Sequence, residues 1–211
     1  MTWSKIVLAA ALSTAAAGAS ANVIYNASAG LNSLVSGVTT NTFDNGLLPT
    51  GFATYDNTPG ALIAYPGNSG YAAMPPGDVS RYFFSVGQTH GQPSLSGVTF
   101  AGNGVSYFGF YMGSPDSYNV LTLYSGNNIA LQLNGNEMAA AAQTVANGNQ
   151  AMGYYMNFFG NGTDITRVTF ASSSDAFETD NHSYRPVPEP ATLGVMMTGL
   201  GLLAFVRRRK A

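Results

Sequence analysis

The sequence of 211 residues predicts an all-β fold, a β-sandwich of jelly-roll type held between two apolar ends. Three observations point there. Strand-length runs of aromatic and branched residues recur with Gly and Asn between them, and no stretch of twelve residues carries a helical apolar stripe. Charged residues make up only 9% of the chain, against about 25% in ordinary soluble domains. The 18 Asn equal all Asp, Glu, Lys and Arg together, beside 25 Gly, 12 Tyr and 12 Phe. Turns joining aromatic strands give that composition, and many short strands favour two packed antiparallel sheets over alternating β and α units.

At the N-terminus Lys5 precedes an apolar run from Ile6 to Ala17, followed by Ala19-Ser20-Ala21. This is the order of a secretory signal peptide, residues 1–21, cut by signal peptidase at the Ala19/Ala21 small-residue site to leave Asn22 first. As a transmembrane anchor the run would be too short for a hydrocarbon core of roughly 30 Å.

Residues 22–186 form the body. Thr50 to Gly77, with Pro59, Pro66, Pro75 and Pro76, reads as loop with short edge pieces. Arg81 to Val86 places Tyr82, Phe84 and Val86 on one face, and Val105 to Met112 is apolar enough for a strand covered on both sides. Tyr118 to Tyr124 and Ile129 to Leu133 form a hairpin through Ser125-Gly126-Asn127-Asn128. Glu137 to Val145 reads equally as a helix or a loop, since its four consecutive alanines lack large apolar anchors. Met152 to Phe159 and Ile165 to Ala171 read as a second hairpin through Gly160-Asn161-Gly162-Thr163.

In the body Arg81, Arg167 and Arg185 face nine acidic residues, a balance of −6 that argues against nucleic acid as a partner. With no Cys, thiol catalysis, disulfides, thiolate zinc sites and iron–sulfur clusters are excluded.

At the C-terminus Val187-Pro188-Glu189-Pro190 precedes an uncharged stretch, Ala191 to Val206, and then Arg207-Arg208-Arg209-Lys210-Ala211. Sixteen helical residues span about 24 Å at about 1.5 Å each, and flanking Arg side chains can absorb the mismatch with a bilayer. A single transmembrane helix over about 191–206 with Arg207, Arg208, Arg209 and Lys210 as a cytoplasmic stop-transfer is therefore expected. Prolines would keep residues 187–190 extended at the membrane surface, where a processing enzyme could grip them.

That succession over residues 187–211 resembles the PEP-CTERM sorting signal of Gram-negative bacteria. The resemblance implies recognition and cleavage by an exosortase, a membrane enzyme found alongside exopolysaccharide production. It also implies export through an inner-membrane intermediate to the cell surface or extracellular matrix. Two body segments, Tyr107 to Asn119 and Ala176 to Asn181, resemble a group of exosortase-dependent surface proteins, with Met112 where Trp would be expected. This implies a secreted β-domain and no established chemistry.

No G-x-S-x-G, H-E-x-x-H or P-loop motif is present, and His90 and His182 read as loop or surface residues. Asp116, Glu137, Asp164 and Glu178 could supply a glycosidase pair, but nothing in their spacing brings two together. If the first and last strands of the sandwich are neighbours, Asp44 and Asp180 would meet beside Asn45 and Asn181, an oxygen set suited to a structural Ca²⁺ ion. The plainer reading is that these Asp-Asn pairs end strands and build turns. Gly113 to Ser117 could face a ligand, with Tyr107, Tyr111, Tyr118 and Tyr124 stacking on sugars or, more simply, filling the core. The expected function is that of a non-catalytic surface or matrix protein associated with exopolysaccharide, without a certain cofactor. The alternatives are a carbohydrate-binding module for the cell's own polysaccharide and a hydrolase with an unrecognised site.

Overall fold

The computed structural model describes residues 22–56, 62–64, 72–80, 82–87 and 95–188. Residues 1–21, expected to be a signal peptide, the apolar stretch 191–206 and the basic tail lie outside these residues. Among the described residues no helix is long and apolar enough to cross a membrane.

Two antiparallel sheets make up the body. The first runs β1 (Asn22–Ser28), β10 (Gly153–Asn161), β7 (Val105–Gly113), β12 (Phe177–Pro186), β5 (Tyr82–Val86) and β4 (Leu62–Ala64), with β2 (Thr39–Asn41) also on β12. The second runs β3 (Ala53–Tyr55), β6 (Leu95–Phe100), β11 (Arg167–Ser172), β8 (Asn119–Ser125) and β9 (Asn128–Asn134). As the prolines require, among the described residues the 50–77 region contributes only the three-residue strands β3 and β4, each at a sheet edge.

The core lies between the sheets. Phe84, Phe108, Phe110, Met112, Phe158 and Phe177 of the first sheet meet Val98, Leu121, Leu123, Val168 and Phe170 of the second. The pleat puts Tyr107 and Tyr111 on the other face of β7, which is buried as well. Segments before β2 and β5 cover it. Ser33 hydrogen-bonds Tyr107 at 2.7 Å, the Pro76 carbonyl accepts from Tyr111 Oη at 2.7 Å, and Leu31 O accepts from Asn181 Nδ2 at 3.1 Å. The first sheet is thus buried on both faces near β7 and β12, and its outer layer is polar.

The β8–β9 hairpin forms as its sequence indicates, closing with Ser125 opposite Asn128 around Gly126 at φ 56°. The second expected hairpin does not form. Its two strands become β10 and β11, which belong to different sheets, so the Gly160–Thr163 turn carries the chain across the sandwich. Gly and Asn supply the turn, but sheet membership is decided by β7 and β6, which take β10 and β11 as partners.

The ambiguous segment contains a helix, α1 (Gly135–Ala141), earlier than expected because Asn134 and Glu137 form a reciprocal capping box. Asn134 Oδ1 accepts from Glu137 N at 3.1 Å and Glu137 Oε2 accepts from Asn134 N at 2.8 Å. Met138, fully buried, is the anchor the alanines lack.

His182 overturns the surface reading. It is fully buried on β12, with ring centroids of Phe43, Phe170 and Phe84 at 5.0, 5.2 and 5.4 Å. Its Nδ1 bonds Tyr55 Oη at 3.0 Å and its Nε2 bonds Thr179 Oγ1 at 2.8 Å. Burial holds its pKa down at about 3, so the imidazole is neutral and both nitrogens are satisfied. His90 lies outside the described residues.

Candidate functional site

Acidic side chains gather where β12 passes the loop between β7 and β8. Ser114 opens that loop at φ 39°, and Asp116 and Tyr118 follow it; Glu178 projects from β12, with Asp175 just before the strand. Together with Gln150 they line a polar cleft of about 110 Å³. The Gly113–Ser117 loop therefore does face a cleft, and both body segments singled out by resemblance contribute to it. Of the four tyrosines, Tyr107 and Tyr111 are buried and hydrogen-bonded, which removes them as platforms; Tyr118 lines the cleft, and Tyr124 is half-buried elsewhere. Met112 is core.

Neighbouring hydrogen bonds fix the walls. Tyr118 Oη donates to Asp175 O at 2.6 Å, Asn119 Nδ2 donates to Ala176 O at 3.3 Å, and Ser172 Oγ donates to Asn119 Oδ1 at 2.8 Å. Gly148 packs so closely that a Cβ there would stand 2.7 Å from Asp116 Oδ1, and its φ of +68° also favours glycine.

Strand alternation carries Phe177 and Thr179 into the core side of β12 and leaves Glu178 and Asp180 on the outer layer. Ala73 N donates to Glu178 Oε1 at 2.9 Å, whereas Glu178 Oε2 and Ser114 Oγ have no hydrogen-bond partner among the described residues. Burial pushes the Glu178 carboxyl up to about 8, and the nearby charges of Asp116 and Asp175 add to this. Asp116 is also raised by burial, with its Tyr118 hydrogen bond acting against the rise. Of the four carboxylates considered for a glycosidase pair, these two share the cleft; Glu137 caps α1 and Asp164 is exposed elsewhere.

Asp180 sits at an irregularity in the β7–β12 ladder, between its pairing with Tyr111 and that of Ser183 with Gly109. Asn181 adopts φ 47° there. The first strand, β1, pairs with β10 and not with the last strand; the second, β2, lies beside β12, with Asn41 opposite His182, and Asp44 follows it outside any strand. Asp44 is exposed, while Asp180 is 1% exposed. Asp180 Oδ1 accepts from Asn181 N at 2.7 Å, and its side chain hydrogen-bonds Asp78, a residue sequence reasoning passed over. Burial first, then Asp78, then the charge of Asp44 push the Asp180 carboxyl up to about 9. Among the described residues no three acidic or histidine side chains are grouped to hold a metal ion.

Of the sorting signal, Val187 and Pro188 are described. Pro186 still pairs with Val105, Val187 N donates to Gly104 O at 3.0 Å, and Pro188 is exposed. Glu189, Pro190, Arg207, Arg208, Arg209 and Lys210 lie outside the described residues, as do Ala19 and Ala21.

Comparison with known proteins identifies a PEP-CTERM protein-sorting motif at residues 186–210. No curated protein matches the chain. Among solved structures, the K2 cleaved adhesin domain of Lys-gingipain aligns at 12% identity with a TM-score of 0.43, covering 72% of this chain and all of that domain. The motif implies export, sorting to the surface of a bacterium and processing by exosortase.

Proposed function

We propose that the protein is a non-catalytic component of the cell surface or extracellular matrix of a Gram-negative bacterium, associated with exopolysaccharide. Its body, a sandwich of jelly-roll type, is the delivered part. The observation that carries this reading is the position of the sorting motif, which begins at the last residue of β12. Removal of the chain beyond Val187 takes none of the described strands. Cleavage after Ala21 would leave all of β1, Asn22–Ser28, in the delivered chain. Between those events the helix over about 191–206 holds an inner-membrane intermediate, with Arg207 to Lys210 on the cytoplasmic side. The buried, neutral and fully bonded His182 supports a non-catalytic body, since it cannot exchange protons with a bound substrate. A role as a carbohydrate-binding module is the second reading, and the cleft at Glu178 favours it.

Replacing Pro188, Glu189 and Pro190 together by Ala tests the sorting role. Export should persist, while the full-length chain accumulates in the membrane fraction because its helix and basic stop remain. Unchanged release of that variant to the surface would rule the role out.

A further inference from the structure

Two unpartnered oxygens mark the cleft beside β12. Glu178 Oε2 and Ser114 Oγ belong to side chains that are each 3% exposed, both residues line the cleft, and neither atom has a partner among the described residues. Buried polar atoms left unpaired are costly, so a ligand bringing donors to them binds with that cost relieved. Asp116 adds a second carboxylate, and no Lys, Arg or His is among the described lining residues. Arg167 is engaged by Asp56 at 3.2 Å and Arg185 by Ser106 at 3.3 Å, while Arg81 lies outside the described residues. A cation placed here would offset the repulsion and burial that hold a proton on Glu178.

Size and lining select the kind of cation. About 110 Å³ holds about four groups of water size at about 30 Å³ each, enough for an ammonium group and the adjoining edge of a sugar ring. A lysine side chain would need an apolar channel for its stem, whereas the apolar contribution here is limited to alanine methyls and the Tyr118 ring. Tyr118, half-buried in the wall, offers a ring face, and the exposed Gln150 can both donate to and accept from hydroxyl groups.

We infer that the cleft formed by Ser114, Asp116 and Glu178 binds a sugar bearing a free primary ammonium group, an amino-hexose unit of a polysaccharide. This rests on the association with polysaccharide proposed above and names the site and chemistry that would carry it. The three N–H donors of the ammonium match the hydroxyl and carboxylate acceptors around it, and N-acetylation would remove both the charge and two of the donors.

The test is a calorimetric titration of the full chain in detergent, at pH 7, with a glucosamine oligomer, its fully N-acetylated counterpart, Nα-acetyl-lysine amide and calcium chloride. The free-amine oligomer should bind at least tenfold more tightly than the acetylated one and than the lysine derivative. Glu178→Gln and Asp116→Asn should each weaken it at least tenfold while melting no lower than the parent. Equal binding of the acetylated oligomer, or variants that bind like the parent, would overturn the inference. So would preference for the lysine derivative or for calcium. Retention on the cell's own polysaccharide separates this from the wider reading: a fully retained Glu178→Gln variant overturns the site alone, whereas a parent protein that is not retained overturns the polysaccharide association.

Discussion

Phe170→Ala should lower the melting temperature by roughly 10 °C, through a loss of about 3–5 kcal/mol. Phe170 lies on β11, the middle strand of the second sheet, and is fully buried. Its ring centroid stands 5.3 Å from Phe110, 5.4 Å from Phe84 and from Phe177, and 5.2 Å from His182. Truncation therefore removes the ring that joins the two sheets at their centre, and a close-packed interior cannot refill that volume. Because domain stabilities are only about 5–15 kcal/mol, this one change should remove a large share of the total. Ile129→Ala is the control, since Ile129 is 59% exposed, and such surface changes usually stay within about 0.5 kcal/mol. Thermal melts showing the two variants alike would refute the account of the core.

Raising the pH from 5 to 9 should destabilise the domain by several kcal/mol. Glu178 and Asp180 are held at about 8 and about 9 in the fold, against ordinary values of 4.5 and 3.8. Groups raised in this way contribute stability that is complete below the unfolded value and is lost as pH rises through the folded one. Each pH unit between the two values costs about 1.4 kcal/mol per group. His182 acts in the opposite sense, because its value is lowered from 6.5 to about 3 and its contribution fades as pH falls below 6.5. The two acids outweigh the single histidine, so the melting temperature should be highest in mild acid and fall most steeply above neutrality. Glu178→Gln and Asp180→Asn should flatten that alkaline fall, and a melting temperature constant from pH 5 to 9 would contradict the assignment. The same melts at pH 9 bear on calcium, which remains a proposal for Asp44 and Asp180. An ion there would replace the proton, so calcium should restore several degrees that chelator removes. Equal melting temperatures in the two would exclude an ion at these aspartates.

How far the sequence discloses this molecule depends on what each element answers to. The β8–β9 hairpin is legible because its alternation and its Gly-Asn turn are local. The separation of β10 from β11 is not, since a Gly-Asn turn has the same chemistry whether its strands pair or part. His182 escapes recognition because the aromatic rings around it come from β5, β7, β11 and the Phe43 loop, none of them near it in sequence. The cleft is half visible: Gly113 to Ser117 stands out as a loop between core strands, but Glu178 reads only as one of several acids until β12 brings it there. Asp78 carries no local signal at all. Its partnership with Asp180 arises from a segment folded across the outer layer of the first sheet.

The most direct measurement of the central claim is the intact mass of the protein recovered from the cell surface, with and without exosortase activity. With the enzyme, the mass should correspond to a chain that begins at Asn22 and ends near Pro188. Without it, the chain should begin at the same residue, extend to Ala211 and remain in the membrane fraction. A surface form that retains residues 191–211, or a mass indifferent to the exosortase, would contradict the account.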